Sequence, residues 1–159
     1  PGCPAADRGD RVGPLILTAG IVSLANLTLL ALAAAGFVRH VLPAVRRVAA
    51  RAPFWGAAAA LGTAMAALLA TTVAQIAVWA AAFVACGEFE DFEDAFYHSA
   101  VNFTTLGYGD FVMSRRWRLL GPLEAANGSL MLSLSAAMLF AILGQVVDAR
   151  RHPSAGAGG

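Results

Sequence analysis

The sequence predicts an all-α membrane protein with three transmembrane helices, and with a short re-entrant helix and loop between the second and the third. Two observations support this fold class. The chain of 159 residues is 58% hydrophobic and 13% charged, about half the charged fraction of an average soluble domain. The charges are gathered into short segments, and the three apolar runs between them are each long enough to cross about 30 Å of hydrocarbon. Lipid is therefore the expected solvent, and the length allows one membrane domain.

The N-terminal part of the chain predicts a flexible lead-in followed by the first transmembrane helix. Residues 1–13 are polar and rich in Gly and Pro, as loosely held termini are. The helix is predicted over 14–38, where Pro14 suits a helix start and Asn26 is the one strongly polar residue. No arginine repeats at every third position, so this helix is not a voltage sensor of the arginine-ladder kind. The next segment has four arginines and no acid, the bias of a cytoplasmic loop: Arg39, Arg46, Arg47 and Arg51.

The second transmembrane helix is predicted over 54–86, an Ala-rich run without a charge. Small residues let helices approach closely in lipid. Gln75 lies within this run and needs a partner, and Trp79 is predicted near the outer membrane interface.

An acidic segment follows the second helix. Its carboxylates would concentrate cations at a pore mouth, or they would simply favour the N-terminus of the next helix through its dipole. Five acids make up this segment: Glu88, Glu90, Asp91, Glu93 and Asp94.

A short pore helix is predicted over 92–103, and a filter loop over 104–110. The glycines Gly107 and Gly109 stand at alternate positions, where they tolerate left-handed backbone. With alternate residues left-handed, successive carbonyls can turn toward one axis and replace the water shell of a monovalent cation. Non-helical backbone at membrane depth must line such a water-filled path or be buried in protein.

The third transmembrane helix is predicted over 119–147, followed by a flexible tail over 148–159. An acid within a membrane span is a functional hypothesis by default. We interpret Glu124 and Asn127 as structural groups behind the filter, with Gln75 as a partner of Asn127; direct ion binding is the alternative. Helical spacing gives two equally plausible cavity-lining stripes: Leu132, Ala136 and Phe140, or Ser129, Ser133 and Ala137.

The filter loop resembles that of a known family. Thr105-Leu106-Gly107-Tyr108-Gly109 is similar to the selectivity filter of potassium channels, with Leu where many members have Val or Ile, and with Asp110 following as it often does. The similarity runs from about residue 92 to 147. The chain resembles small bacterial members of the two-helix pore-loop ion-channel superfamily with one extra N-terminal helix.

The resemblance implies a homotetramer in a lipid bilayer, with K⁺ as the permeating ion and no organic cofactor. Four carbonyl layers would come from Thr105 to Tyr108, and the Thr105 hydroxyl would add one at the cavity end. Gly109 completes the filter, and Gly128 stands where related inner helices often carry a hinge.

Residues around the filter are implied to support it, namely Thr104, Asp110, His98, Tyr97 and Val101. Some bacterial relatives hold Glu or Asp where Val101 stands, so Asp110 lacks that partner here. Tyr97 or His98 is expected to supply the missing hydrogen bond. His98 is either an ordinary interfacial histidine or a pH sensor.

The predicted function is passive, potassium-selective permeation in a bacterial inner membrane, with the N-terminus outside and the C-terminus cytoplasmic. The alternatives are a non-selective cation channel and a non-conducting scaffold or auxiliary subunit. The sequence shows no nucleophile–base set or phosphate-binding loop typical of an enzyme, and no basic cluster for nucleic acid. Cys3 and Cys86 would both lie outside; we expect them to be unpaired.

Overall fold

The computed structural model of the protein describes residues 9–44, 47 and 52–151, and over these residues the ordered elements are helices. The elements are α1 (Gly9–Gly36), α2 (Pro53–Ala85), α3 (Phe92–Phe103) and α4 (Leu120–Arg151). Three stretches are long and apolar enough to cross a membrane: Val12–Ala44, Phe54–Ala85 and Leu120–Gly144. The predicted all-helical membrane fold class is therefore confirmed.

Helix α1 begins at Gly9, five residues before the predicted start, so Pro14 lies inside the helix. Pro14 has no N–H to donate to the Asp10 carbonyl, and the helix continues through this position. A π-helical turn, Phe37–Val41, follows α1, and the Leu42 N–H bonds the Phe37 carbonyl across it. Residues 1–8, with Cys3, lie outside the described residues.

Helix α2 ends at Ala85, one residue before the predicted end, in a turn built around Gly87. Gly87 has a φ of 74°, the left-handed conformation that glycine adopts without steric cost. The Gly87 N–H bonds the Val84 carbonyl at 2.9 Å, and the Glu88 N–H bonds the Phe83 carbonyl at 3.1 Å. This pair of bonds is the Schellman motif, which satisfies carbonyls at a helix C-terminus.

Helix α4 continues to Arg151, four residues beyond the predicted end. Residues 148–151 are therefore helix rather than tail. Ala149, Arg150 and Arg151 are good helix formers, so the helix outlasts the apolar run. Residues 152–159, the rest of the predicted tail, lie outside the described residues.

The chain divides into two units. One unit contains residues up to Leu29 together with Thr72–Leu132. It holds α3, the filter loop and all of the buried polar side chains described below. The other contains Leu30–Thr71 and the chain from Ser133 onward. In the second unit the fully buried side chains of α2 are small, as those of Ala60 and Ala64 show.

Candidate functional site

Helix α3 spans Phe92–Phe103 and ends at the filter loop, residues Thr104–Asp110. Glu93 and Asp94 lie in its first turn, where negative charge interacts favourably with the positive end of the helix dipole. At its C-terminal end the Thr104 N–H and hydroxyl both donate to the Ala100 carbonyl, at 3.2 and 2.7 Å. The helix therefore ends at Phe103, and the negative end of its dipole lies at the start of the loop.

The filter loop has a left-handed residue at every second position. The φ angles are 60° at Thr105, 62° at Gly107 and 74° at Gly109. The two glycines are the residues whose spacing predicts this backbone. The left-handed backbone of Thr105 could not be predicted from its residue type, because a β-branched residue rarely adopts positive φ. The strain costs about 1–3 kcal/mol.

The N–H groups at the start of the loop bond back to α3. The Thr105 N–H donates to the Asn102 carbonyl at 2.8 Å, and the N–H groups of Leu106 and Gly107 both donate to the Val101 carbonyl, at 2.9 and 3.3 Å. Within the described part of the chain, no donor reaches the carbonyl oxygens of Thr105 to Tyr108. The N–H groups at the start of the loop thus bond carbonyls of α3, whereas the carbonyl oxygens of the loop have no hydrogen-bond donor among the described residues.

The filter loop lies on the surface of the single chain. All seven of its residues are exposed, including the side chains of Tyr108 (67%) and Leu106 (55%). An adjoining cavity of about 390 Å³ has His98, Asn102, Thr105 and Gly107 among its lining residues. Large apolar side chains around an open cavity are typical of a surface that another protein covers.

Asp110 receives its hydrogen bond from Tyr97. The Tyr97 hydroxyl donates to Oδ2 at 2.8 Å, and the Phe111 N–H donates to Oδ1 at 3.2 Å. The hydrogen bond to Asp110 raises the pKa of Tyr97. Tyr97 therefore takes the supporting role expected for one of two side chains, while His98 bonds elsewhere.

His98 is enclosed by aromatic rings on the inner side of α3. Its ring centroid lies 5.0 Å from that of Phe89, 5.4 Å from Phe83 and 6.5 Å from Phe111. Its Nε2 lies 2.9 Å from Nδ2 of Asn102, so an unprotonated Nε2 accepts a hydrogen bond there. Burial lowers the pKa of His98, although the charges of Asp110 and Glu88 oppose the shift.

Gly128 of α4 packs against the backbone at the end of α3. A Cβ atom added to Gly128 would lie 2.1 Å from the Phe103 carbonyl oxygen, well inside van der Waals contact. This position therefore requires glycine for steric reasons. This steric requirement does not test the predicted hinge role of Gly128, which stays a prediction.

Glu124 lies on α4 against Ser99 of α3, and both are fully buried. Ser99 Oγ lies 2.5 Å from Oε1 of Glu124 and 2.9 Å from the carbonyl oxygen of Ile76 on α2. The Ser99 hydroxyl of α3 thus contacts both α2 and α4, and the structural role of Glu124 stays a prediction.

A buried amide cluster, Asn26, Gln75, Trp79 and Asn127, joins α1, α2 and α4. Oδ1 of Asn127 accepts hydrogen bonds from the Asn26 amide at 3.0 Å and the Trp79 indole at 3.2 Å. The predicted Gln75–Asn127 pair is wrong, because Gln75 donates to the backbone carbonyl of Asn26 at 2.9 Å. Trp79 is fully buried, and its N–H has a partner inside the chain; its depth near the outer membrane interface stays a prediction.

The acids that precede α3 divide into two groups. The Glu88 carboxylate accepts hydrogen bonds from the Ser114 N–H at 2.8 Å and the Ser114 hydroxyl at 2.6 Å, which braces the segment after the filter loop. The other four acids are exposed and lie at or beside the start of α3: Glu90, Asp91, Glu93 and Asp94. Their role at a pore mouth stays a prediction.

The two candidate cavity-lining stripes of α4 are both exposed in the single chain. This holds for Leu132, Ala136 and Phe140 and equally for Ser129, Ser133 and Ala137. Exposure does not separate them, and the assignment of the cavity face stays a prediction.

Residues 71–145 match the model of a protein family described as "Ion channel". The match begins in α2, includes α3 and the filter loop, and ends in α4. No curated protein and no solved structure matches the chain. The family match supports an ion-channel function for this stretch, and three apolar helices of spanning length support a place in a membrane.

Proposed function

We propose that the protein is a potassium-selective channel that conducts passively through a homotetrameric pore. The observation that carries this proposal is the alternation of left-handed residues at Thr105, Gly107 and Gly109. This alternation allows consecutive carbonyls to turn to one side of the chain. Carbonyl oxygens from Thr105 to Tyr108, which lack a donor within the described residues, would then form rings that replace the water around K⁺.

The tetramer follows from the chemistry of a ring. One chain supplies one strand of carbonyls, and four strands about a closed symmetry axis complete the coordination. The exposed side chains of Tyr108 and Leu106 and the open cavity beside the loop are surfaces that neighbouring subunits would fill. Unsatisfied carbonyls in lipid cost several kcal/mol each, so assembly and conduction share one requirement.

The proposed location is a bacterial inner membrane, with the N-terminus outside and the C-terminus in the cytoplasm. The arginines between the first two spans support this orientation through the positive-inside rule. Arg115, Arg116 and Arg118 would lie outside, and the longer arginine-bearing segment outweighs them.

Reconstitution of the full chain in liposomes under a potassium gradient tests the proposal. We expect barium-sensitive K⁺ flux that far exceeds Na⁺ flux. Equal fluxes of the two ions would indicate a non-selective cation channel, and the absence of flux would indicate a scaffold or auxiliary subunit.

A matched pair of glycine variants connects the flux to the loop. Gly109 and Gly87 share a φ of 74°, and neither has an atom within 4 Å of an added Cβ. Gly109→Ala and Gly87→Ala therefore impose similar backbone strain, but only the first lies in the filter loop. We expect Gly109→Ala to abolish selective flux and Gly87→Ala to retain it; equal effects would contradict the proposed role of the loop.

A further inference from the structure

Among the residues that the structure describes, no charged side chain is a hydrogen-bond partner of the Glu124 carboxyl. The side chain is fully buried and lies in the segment Leu120–Gly144 that is apolar enough to span a membrane. Ser99 and Asn102, the polar side chains against the carboxyl, are both neutral. Removing an ion from water without a counter-charge costs several kcal/mol, so this site is unfavourable for a carboxylate.

The number of hydrogens available at Ser99 also favours a protonated Glu124. Ser99 Oγ contacts two oxygens, the Ile76 carbonyl at 2.9 Å and Glu124 Oε1 at 2.5 Å. A carbonyl and a carboxylate can only accept, and a serine hydroxyl carries one hydrogen. With an ionised Glu124, one of the two contacts would have no hydrogen. With a protonated Glu124, the acid donates to Ser99 and Ser99 donates to Ile76.

The second carboxyl oxygen fits the neutral form as well. Within the described residues, Oε2 of Glu124 is buried and has no hydrogen-bond partner; the nearby Asn102 amide is instead within hydrogen-bond distance of His98 Nε2, at 2.9 Å. A neutral carbonyl oxygen left in this position loses one hydrogen bond, whereas a carboxylate oxygen would carry part of an uncompensated charge.

We propose that Glu124 is a neutral carboxylic acid whose proton completes a chain of hydrogen bonds from α4 through Ser99 of α3 to the Ile76 carbonyl of α2. Ser99 lies two residues before Val101, whose carbonyl accepts the N–H groups of Leu106 and Gly107. The chain of bonds therefore fixes the helix end from which the filter loop starts. Glu124 is a positioning residue for the filter, and this consequence for conduction rests on the proposed channel function.

Infrared spectroscopy of the full chain in bilayers tests the protonation state without reference to conduction. We expect the carbonyl stretch of a protonated carboxylic acid at pH 7, lost in Glu124→Gln and unchanged in Glu90→Gln, which alters an exposed acid. The absence of this band from the native protein at pH 7, or its persistence in Glu124→Gln, would overturn the proposal.

Potassium flux tests the positioning role through rescue by a conservative variant. The amide of Glu124→Gln can donate to Ser99 as the neutral acid does, so we expect near-native flux. Glu124→Leu offers no hydrogen, and we expect flux about tenfold lower. Flux as low in Glu124→Gln as in Glu124→Leu would refute positioning by hydrogen donation. A native protein that shows the infrared band but no flux would refute the channel function alone.

Discussion

The amide of Asn26 donates a hydrogen bond of 3.0 Å to Oδ1 of Asn127, a residue 101 positions further along the chain. Asn127 immediately precedes Gly128, which lies against the end of α3. The first helix is therefore attached to the part of α4 that supports the filter loop, although the ion-channel family match begins only at residue 71.

Replacement of Asn26 by Leu should weaken the attachment of α1. The variant removes one interhelical hydrogen bond, which in membrane proteins contributes about 0.6 kcal/mol on average and up to about 1.7 kcal/mol. We expect a lower thermal stability of the purified assembly. Thr28→Val is the control, since the Thr28 hydroxyl bonds only within its own helix, to the Leu24 carbonyl. A double-mutant cycle with Asn127→Leu should show non-additivity; additive effects would contradict direct coupling.

Gly128→Ala should disrupt the contact between α4 and α3. The added Cβ would meet the Phe103 carbonyl, and overpacking of this kind costs about 1–3 kcal/mol. Gly144→Ala is the matched control on the same helix, because nothing lies within 4 Å of its added Cβ. We expect loss of stability and of K⁺ flux only in Gly128→Ala, measured by thermal denaturation and liposome flux. A stable, conducting Gly128→Ala variant would show that the close contact is dispensable.

Acid should destabilise the protein through His98. Burial lowers the pKa of this side chain below its usual value of about 6.5, so the unfolded chain binds the proton first as the pH falls. The stabilising contribution is complete above about pH 6.5 and declines at lower pH, where protonation also removes the Nε2 acceptor for Asn102. Thermal denaturation between pH 5 and 7.5 should show this decline in the native protein and a smaller one in His98→Gln. The same slope in both would exclude His98 as the cause.

Modification of Cys86 should report the orientation of the chain. Burial and the nearby Glu88 raise the pKa of this thiol, and thiolate is the reactive form. In a Cys3→Ser variant, a membrane-impermeant maleimide should therefore label Cys86 from outside the cell, slowly at pH 7 and faster as the pH rises. Labelling only after the cytoplasmic side is opened would reverse the proposed topology.

Charge and hydrophobicity along the chain were sufficient to predict the fold class, because three apolar runs in lipid have few alternatives to helices. The left-handed glycines were predictable for a similar local reason, since residue type alone permits that backbone. Thr105 was not, because its strained φ is imposed by the bonds of the loop to α3. The start of α1 was predicted less well from local preferences. Pro14 was the predicted first residue of the helix, but the helix begins at Gly9 and continues through Pro14.

The buried polar partners could not be read from the sequence. Gln75, Asn127 and Trp79 were each visible as polar or aromatic groups in apolar runs, but their pairing depends on how the helices rotate against one another. Asn26 gave a signal as the one strongly polar residue of its run, without indicating its partner. For Glu124 the sequence predicted a structural role behind the filter, whereas its contact with the Ser99 hydroxyl is visible only in the structure.

The Val101 carbonyl oxygen receives the N–H groups of both Leu106 and Gly107. This double attachment is made by the main chain, so it is independent of the side chain at position 101. This attachment therefore does not require an acidic side chain at position 101, since the backbone itself holds the loop to its helix. Sequence drift at this position changes the surroundings of the loop while its anchoring atom stays in place.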